Sequence, residues 1–160
     1  IAYWTGRGYL GLGRSAAGML DAEDFDRLAG LFPGASSRGD AYRVRLVQRD
    51  DDAMTFEAEY LSQREAAAED LMLACRMTRG VASDLLVRVA RVIPADELTA
   101  ACDRALELGL ATWVPETLGV HEGPFTSADV VAGHVRARLA PTHLGWLDGN
   151  VLFELFWDLA

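Results

Sequence analysis

Residues 62–114 read SQREAAAEDLMLACRMTRGVASDLLVRVARVIPADELTAACDRALELGLATWV, and this stretch decides the fold class. Ala68, Leu71, Met72 and Cys75 recur at helical spacing and mark one face of a helix that begins near Ser62 and stops near Gly80. Ser83 reads as the cap of a second helix, whose apolar stripe is Leu85, Leu86, Val89, Val92 and Ile93, and Pro94 punctuates it. A third helix, residues 95–108, carries Leu98, Ala101, Cys102 and Ala105 inward and closes at Gly109, which takes the position just past the helix end. Leu110-Ala111-Thr112-Trp113-Val114 then predicts a strand.

Toward the C-terminus, His134-Val135-Arg136-Ala137-Arg138-Leu139 alternates and predicts the partner of that strand. The intervening loop holds Gly119, Gly123 and Pro124, with a short helix near Ser127–Val131. A final helix is expected from about Leu144 to Leu159, where ten of sixteen residues are apolar. Leu147, Val151 and Leu155 make one stripe, and Trp146, Phe153 and Trp157 make a second, so this helix needs partners on more than one side. Three helices, a two-stranded ribbon and a closing helix have the layout of a winged-helix module. The expected class is therefore α+β: a mainly helical winged-helix-like domain with a short two-stranded wing.

Toward the N-terminus, Tyr9-Leu10-Gly11-Leu12-Gly13 predicts a short buried strand leaving into a turn. Asp21 is placed as an N-cap, with Glu23 and Asp24 in the first turn, where the helix dipole favours acids. Phe25, Leu28, Leu31 and Phe32 continue that helix to Pro33-Gly34. Residues 35–40 form a loop, and Tyr42–Val47 alternates as a second strand. Asp50-Asp51-Asp52 reads as a solvated turn, because the spaced oxygen ligands and glycine of a calcium loop are missing.

The chain has 160 residues, half of them apolar, which suffices for one packed domain or a domain with an appended segment. No apolar run reaches the roughly 20 residues needed to span a bilayer, and Ile1–Arg7 lacks the apolar core of a signal peptide. The absence of an initiator Met before an aromatic, glycine-rich opening reads as a chain cut from something longer. All 15 basic residues are Arg, and the net charge is −9. The helix over residues 95–108 would face a DNA groove, yet it sets Asp96, Glu97, Asp103 and Glu107 against Arg104 alone. That sign repels phosphate, so no nucleic-acid partner is expected.

Little here carries chemistry by itself. Gly6-Arg7-Gly8-Tyr9-Leu10-Gly11 and Gly11-Leu12-Gly13-Arg14-Ser15-Ala16 formally match the dinucleotide fingerprint, which needs a strand before it and a helix after it. The first match lacks the strand, so a tight turn with close backbone approach is the preferred reading. His121, His134 and His143 lack metal-ligand spacing, and Ser15 lacks a nucleophile elbow. Glu57 and Glu59 are an ordinary acidic pair. Cys75 and Cys102 predict buried free thiols; with no CxxC and no cysteine triplet, the chain alone holds no iron–sulfur cluster.

Three segments resemble a known family. Tyr3-Trp4 followed by Tyr9-Leu10-Gly11-Leu12-Gly13 is similar to the "YW…YLGLGxGA" segment of oxygen-independent coproporphyrinogen III oxidase-like radical-SAM proteins. In the branch regarded as haem chaperones a His-Asn pair precedes it in an HNxxYW pattern, with Ile1 and Ala2 at the variable positions. Residues 69–81, EDLMLACRMTRGV, resemble the family's "E-[FD]-x-M-L-x-L-R-L-x-x-G-V". Arg138-Leu139-Ala140-Pro141-Thr142 leading into Gly145-Trp146-Leu147 and Asn150 resembles its "RLTPxGxLLxN" ending. The matches fall in order along nearly the whole chain. The departures are Arg14-Ser15-Ala16-Ala17-Gly18 in place of Gly-Ala-His-Ser, an insertion over residues 117–133, and the missing CxxxCxxC.

The resemblance implies that residues 1–60 are the end of a radical-SAM barrel with its connecting segment, and residues 61–160 the winged-helix-like C-terminal domain over the barrel mouth. Gly11, Gly13 and Ala17 would lend close backbone approach at the S-adenosylmethionine pocket, and Tyr3 and Trp4 would belong to a haem-contacting motif. The full-length protein would use S-adenosylmethionine and a 4Fe-4S cluster, with haem or porphyrin as partner, in the cytoplasm. This chain alone would have no catalytic residue and bind no metal. The alternative is a stand-alone winged-helix module that binds protein through Trp146, Phe153 and Trp157.

Overall fold

The computed structural model describes residues 7–11, 16–32, 35, 38–48, 55–116 and 124–160. The protein is α+β, with two small antiparallel sheets, and divides into two compact units, Ile1–Ala66 and Ala67–Ala160.

The first unit is built on β1 (Ala17–Asp21), β2 (Arg43–Gln48) and β3 (Phe56–Leu61), in the order β1-β2-β3. β1 replaces the expected departure from a glycine turn; Gly18, Met19 and Leu20 are buried in succession, which hides the alternation that betrays a strand. The expected strand at Tyr9–Gly13 reduces, among its described residues, to one antiparallel bridge from Tyr9 to Met19. β3 is an addition to the expected elements. It turns Phe56, Ala58 and Tyr60 inward while Glu57 and Glu59 stay exposed, and Glu59 meets Arg45 directly across the pair. The acidic pair is thus the outer row of an edge strand.

Asp21 caps α1 (Ala22–Leu28), its Oδ1 accepting from the Asp24 amide at 2.8 Å. A single 3₁₀ turn, Ala29–Leu31, follows. The core of this unit is aromatic: the Phe25 ring centroid lies 6.4 Å from those of Phe32 and Tyr60, and Phe32 lies 5.3 Å from Phe56. Val44 and Leu46 supply its floor.

Helix α2 (Gln63–Cys75) leads out of the first unit into the second, which holds α3 (Ser83–Val89), α4 (Ala95–Glu107), β4 (Ala111–Pro115), α5 (Ser127–Val131), β5 (Ala137–Pro141), α6 (His143–Leu147) and α7 (Gly149–Trp157). α2 ends at Cys75, five residues before the expected stop, because residues 76–79 form turns that deliver Gly80 at φ +68°. Val81 then pairs with Leu139 through two backbone hydrogen bonds of 2.9 and 2.8 Å, so it lies beside β5 on the side away from β4. α3 closes at Val89, leaving Val92 and Ile93 in the turn to α4, with Ile93 fully buried. Gly109, at φ +69°, terminates α4 as expected.

β5 starts at Ala137, not His134, since the His134 and Val135 amides both donate to the carbonyl of Asp129 in α5. The expected single closing helix is two, joined at Asp148, whose backbone (φ −102°, ψ 37°) leaves the helical range. The core spans Leu71, Val81, Leu86, Ile93, Leu98, Leu139, Leu152 and Phe156.

Candidate functional site

Of the five residues expected at a cofactor site, the structure describes Gly11 and Ala17; Tyr3, Trp4 and Gly13 lie outside the described residues. Gly11 and Ala17 are brought together. A Cβ at Gly11 would fall 2.3 Å from the Ala17 carbonyl oxygen, and one at Gly18 would fall 3.2 Å from the Tyr9 oxygen. The Tyr9 and Met19 amides each donate to the other's carbonyl at 2.8 Å. Small residues are thus needed here for two backbone segments to lie side by side. Among the described residues the glycine pattern is followed by strand β1 and not by the helix that a dinucleotide pyrophosphate requires.

The second and third resembling segments meet at β5. Gly80 sits where a Cβ would strike the Leu139 oxygen at 2.1 Å, and Val81 makes the bridge to the same residue. Four residues past β5, the Gly145 α-carbon lies against Leu110, where a Cβ would fall 1.9 Å from the carbonyl oxygen. Thr142 locks this corner: its hydroxyl donates to the Gly109 carbonyl at 2.7 Å and accepts from the Gly145 amide at 3.0 Å. The motif glycines therefore set the closure of the unit.

A polar cluster stands at the base of the β4–β5 ribbon. Glu116 accepts from the Ser83 amide at 3.1 Å and from the Ser83 hydroxyl at 2.7 Å, which caps α3 with a carboxylate 33 residues away. Arg136 bridges Asp84 at 3.1 Å and Glu116 at 3.6 Å. Ser83 is thus the first residue of α3, and the expected capping role passes to Glu116. Trp113 donates to the Ser127 hydroxyl at 3.3 Å and holds the start of α5 on β4.

Cys75 and Cys102 are buried free thiols, as expected. Burial pushes both upward, Cys102 to about 12, with the other thiol adding to the rise at Cys75. Such thiols are poor nucleophiles and poor metal ligands. Among the described residues no group of three or more His, Cys, Asp or Glu side chains is placed to hold a metal ion.

The closing helices carry the least satisfied surface. Leu144, Trp146, Val151 and Trp157 are 41–45% exposed and Leu147 is 70% exposed. Phe153, expected on the same stripe as the tryptophans, turns inward instead, and the Arg76 guanidinium stacks 4.5 Å from its ring centroid. Leu155 also packs on the core. The break at Asp148 resets the helical register, and Leu144, absent from the expected stripes, joins the exposed set.

No helix among the described residues is long and apolar enough to cross a membrane. In comparisons with known proteins, no family model, no curated protein and no solved structure matches the chain.

Proposed function

We propose that this chain is the C-terminal accessory region of an oxygen-independent coproporphyrinogen III oxidase-like radical-SAM protein, of the haem-chaperone-like branch, acting in porphyrin or haem metabolism in the cytoplasm. The observation that carries the reading is the meeting of two resembling segments: Gly80-Val81 from one is seated on Leu139 from the other. Residues that resemble a family far apart in sequence, and then depend on each other for closure, fit one inherited unit better than two chance matches. The winged-helix-like reading of this unit has similar support. Its order is helix, bridging segment, helix, helix, strand, short helix, strand, with Val81 beside β5 and β5 beside β4. The acids of α4 make it a scaffold rather than a reader of DNA.

In this reading Tyr3 and Trp4 belong to a haem-contacting motif, and Gly13 to the glycine segment that serves the S-adenosylmethionine pocket; all three lie outside the described residues. Gly11 and Ala17 offer the cofactor no cradle of their own, because the space freed at Gly11 is filled by the Ala17 carbonyl. Cluster and cofactor chemistry therefore belong to the remainder of the full-length protein, and no step is assigned to this chain. The test is the reading frame upstream of Ile1. A CxxxCxxC followed by a barrel-length sequence supports the proposal, and a start codon at residue 1 overturns it. Titrating the full-length protein with haem tests the chaperone branch, where an unshifted Soret band refutes it.

A second reading, a stand-alone module that binds protein, is favoured by the exposed apolar face of α6 and α7.

A further inference from the structure

We propose that the outward face of α6 and α7 docks a basic amphipathic helix of a partner protein. The inference takes its face from the interaction-module reading and adds the chemistry of the partner. On α7, Val151, Glu154, Trp157 and Asp158 are all exposed and stand at spacings of three, four and seven, so they are neighbours on one side of the helix. Leu144, Trp146 and Leu147 expose further apolar surface on α6, directly before it. The surface is apolar in its middle and single-signed at its edge. From Leu139 to Ala160 there is no Arg or Lys, while Asp148, Glu154 and Asp158 are exposed.

The placement of these acids is informative. Glu154 and Asp158 lie at the C-terminal end of α7, where the helix dipole disfavours carboxylates, and no basic residue occupies that last turn. Among the described residues none of the three acids makes an ion pair. Asp148 stands at the N-cap of α7, where the dipole favours it, but Glu154 and Asp158 do nothing for the helix they sit on, and both face outward with unspent charge. A partner helix with a Leu-type face would cover Trp146, Leu147, Val151 and Trp157 while its Lys or Arg residues reach the acids. A second copy would set the same carboxylates against each other on a chain of net charge −9, and an anionic lipid surface would meet the same repulsion.

The test titrates the full chain with three synthetic helical peptides of one length, Leu/Lys, Leu/Gln and Leu/Glu, by calorimetry at low and moderate salt. Leu/Lys is expected to bind at least about tenfold more tightly than Leu/Gln, and Leu/Glu more weakly than both. In the paired variant Leu147→Ser/Val151→Ser, at exposed positions, Leu/Lys should lose about tenfold. In Glu154→Lys/Asp158→Lys the preference should move to Leu/Glu. Equal binding of Leu/Lys and Leu/Gln overturns the charge inference while leaving the interaction reading standing. Binding that neither variant changes overturns both. Dimerisation in sedimentation, abolished by Leu147→Ser/Val151→Ser, or binding to anionic vesicles, overturns the choice of partner.

Discussion

Gly145→Ala separates a packing requirement from a backbone requirement. The new Cβ arrives 1.9 Å from the Leu110 carbonyl oxygen and 2.8 Å from its carbon, where ordinary contact begins at 3.4 Å. Backbone must therefore move by about 1.5 Å, the gap between those two oxygen distances. The obstructing oxygen also accepts from the Thr142 amide at 2.9 Å and its hydroxyl at 3.3 Å, so displacement strains both bonds. Overpacking costs about 1–3 kcal/mol and each weakened bond about 1 kcal/mol, while Ala in place of helical Gly returns about 1 kcal/mol. The net expectation is about 2–4 kcal/mol of destabilisation.

Two controls lie in the same unit. Gly109 has φ +69° but meets nothing closer than a Leu144 methyl at 3.9 Å, so Gly109→Ala should cost only about 1–2 kcal/mol of backbone strain. Gly80 combines φ +68° with a contact of 2.1 Å and should cost most. Urea unfolding followed by far-ultraviolet circular dichroism gives the three values; a domain of this size shifts its Tm by roughly 4–8 °C per kcal/mol. If Gly145→Ala is no more destabilising than Gly109→Ala, the close approach to Leu110 is not what requires glycine.

Glu116→Ala should cost about 1–2 kcal/mol, as loss of a helix cap does, and its coupling to Ser83→Ala in a double-mutant cycle should exceed about 0.5 kcal/mol; strictly additive losses would show that the remote cap contributes nothing. Glu65 accepts from the Ser62 amide at 2.7 Å, and this bond, helped by the Ser62 hydroxyl, holds its carboxyl below the ordinary value of 4.5. A lowered native pKa stabilises the fold above the ordinary value and is lost as pH falls through the native one. The stability gap between the wild type and Glu65→Gln should thus be constant above about pH 5.5 and close below about 4.5; an equal gap at pH 3 and 7 contradicts the capping role.

The helices from α2 to α4 were legible because each carries an apolar stripe at helical spacing, although α2 also buries Ala66, Glu69 and Leu73 on its opposite side, and punctuation by Pro94 and Gly109 then agrees. β1 was not legible: with three successive residues buried, its burial does not alternate and its small side chains mimic a turn. β3 did alternate, and only the acids in its outer row distracted from it. The split at Asp148 is marked by Asp148-Gly149-Asn150, a turn signal outweighed by the apolar residues on either side, and it moves Phe153 and Leu155 into the core and leaves Leu147 outside. Of the site residues, Gly11 was legible as a close approach, and its neighbour proved to be the chain itself. The Glu116–Ser83 contact spans 33 residues and no local pattern announces it.

The two thiols give this protein an internal timer for one of its halves. Both of its cysteines lie in Ala67–Ala160, at the end of α2 and the middle of α4, and both are shut off from water. A thiol-reactive dye can modify them only when those helices part, so the labelling rate counts openings of the second unit and ignores the first. Openings too rare for spectroscopy would still be registered, one covalent event at a time.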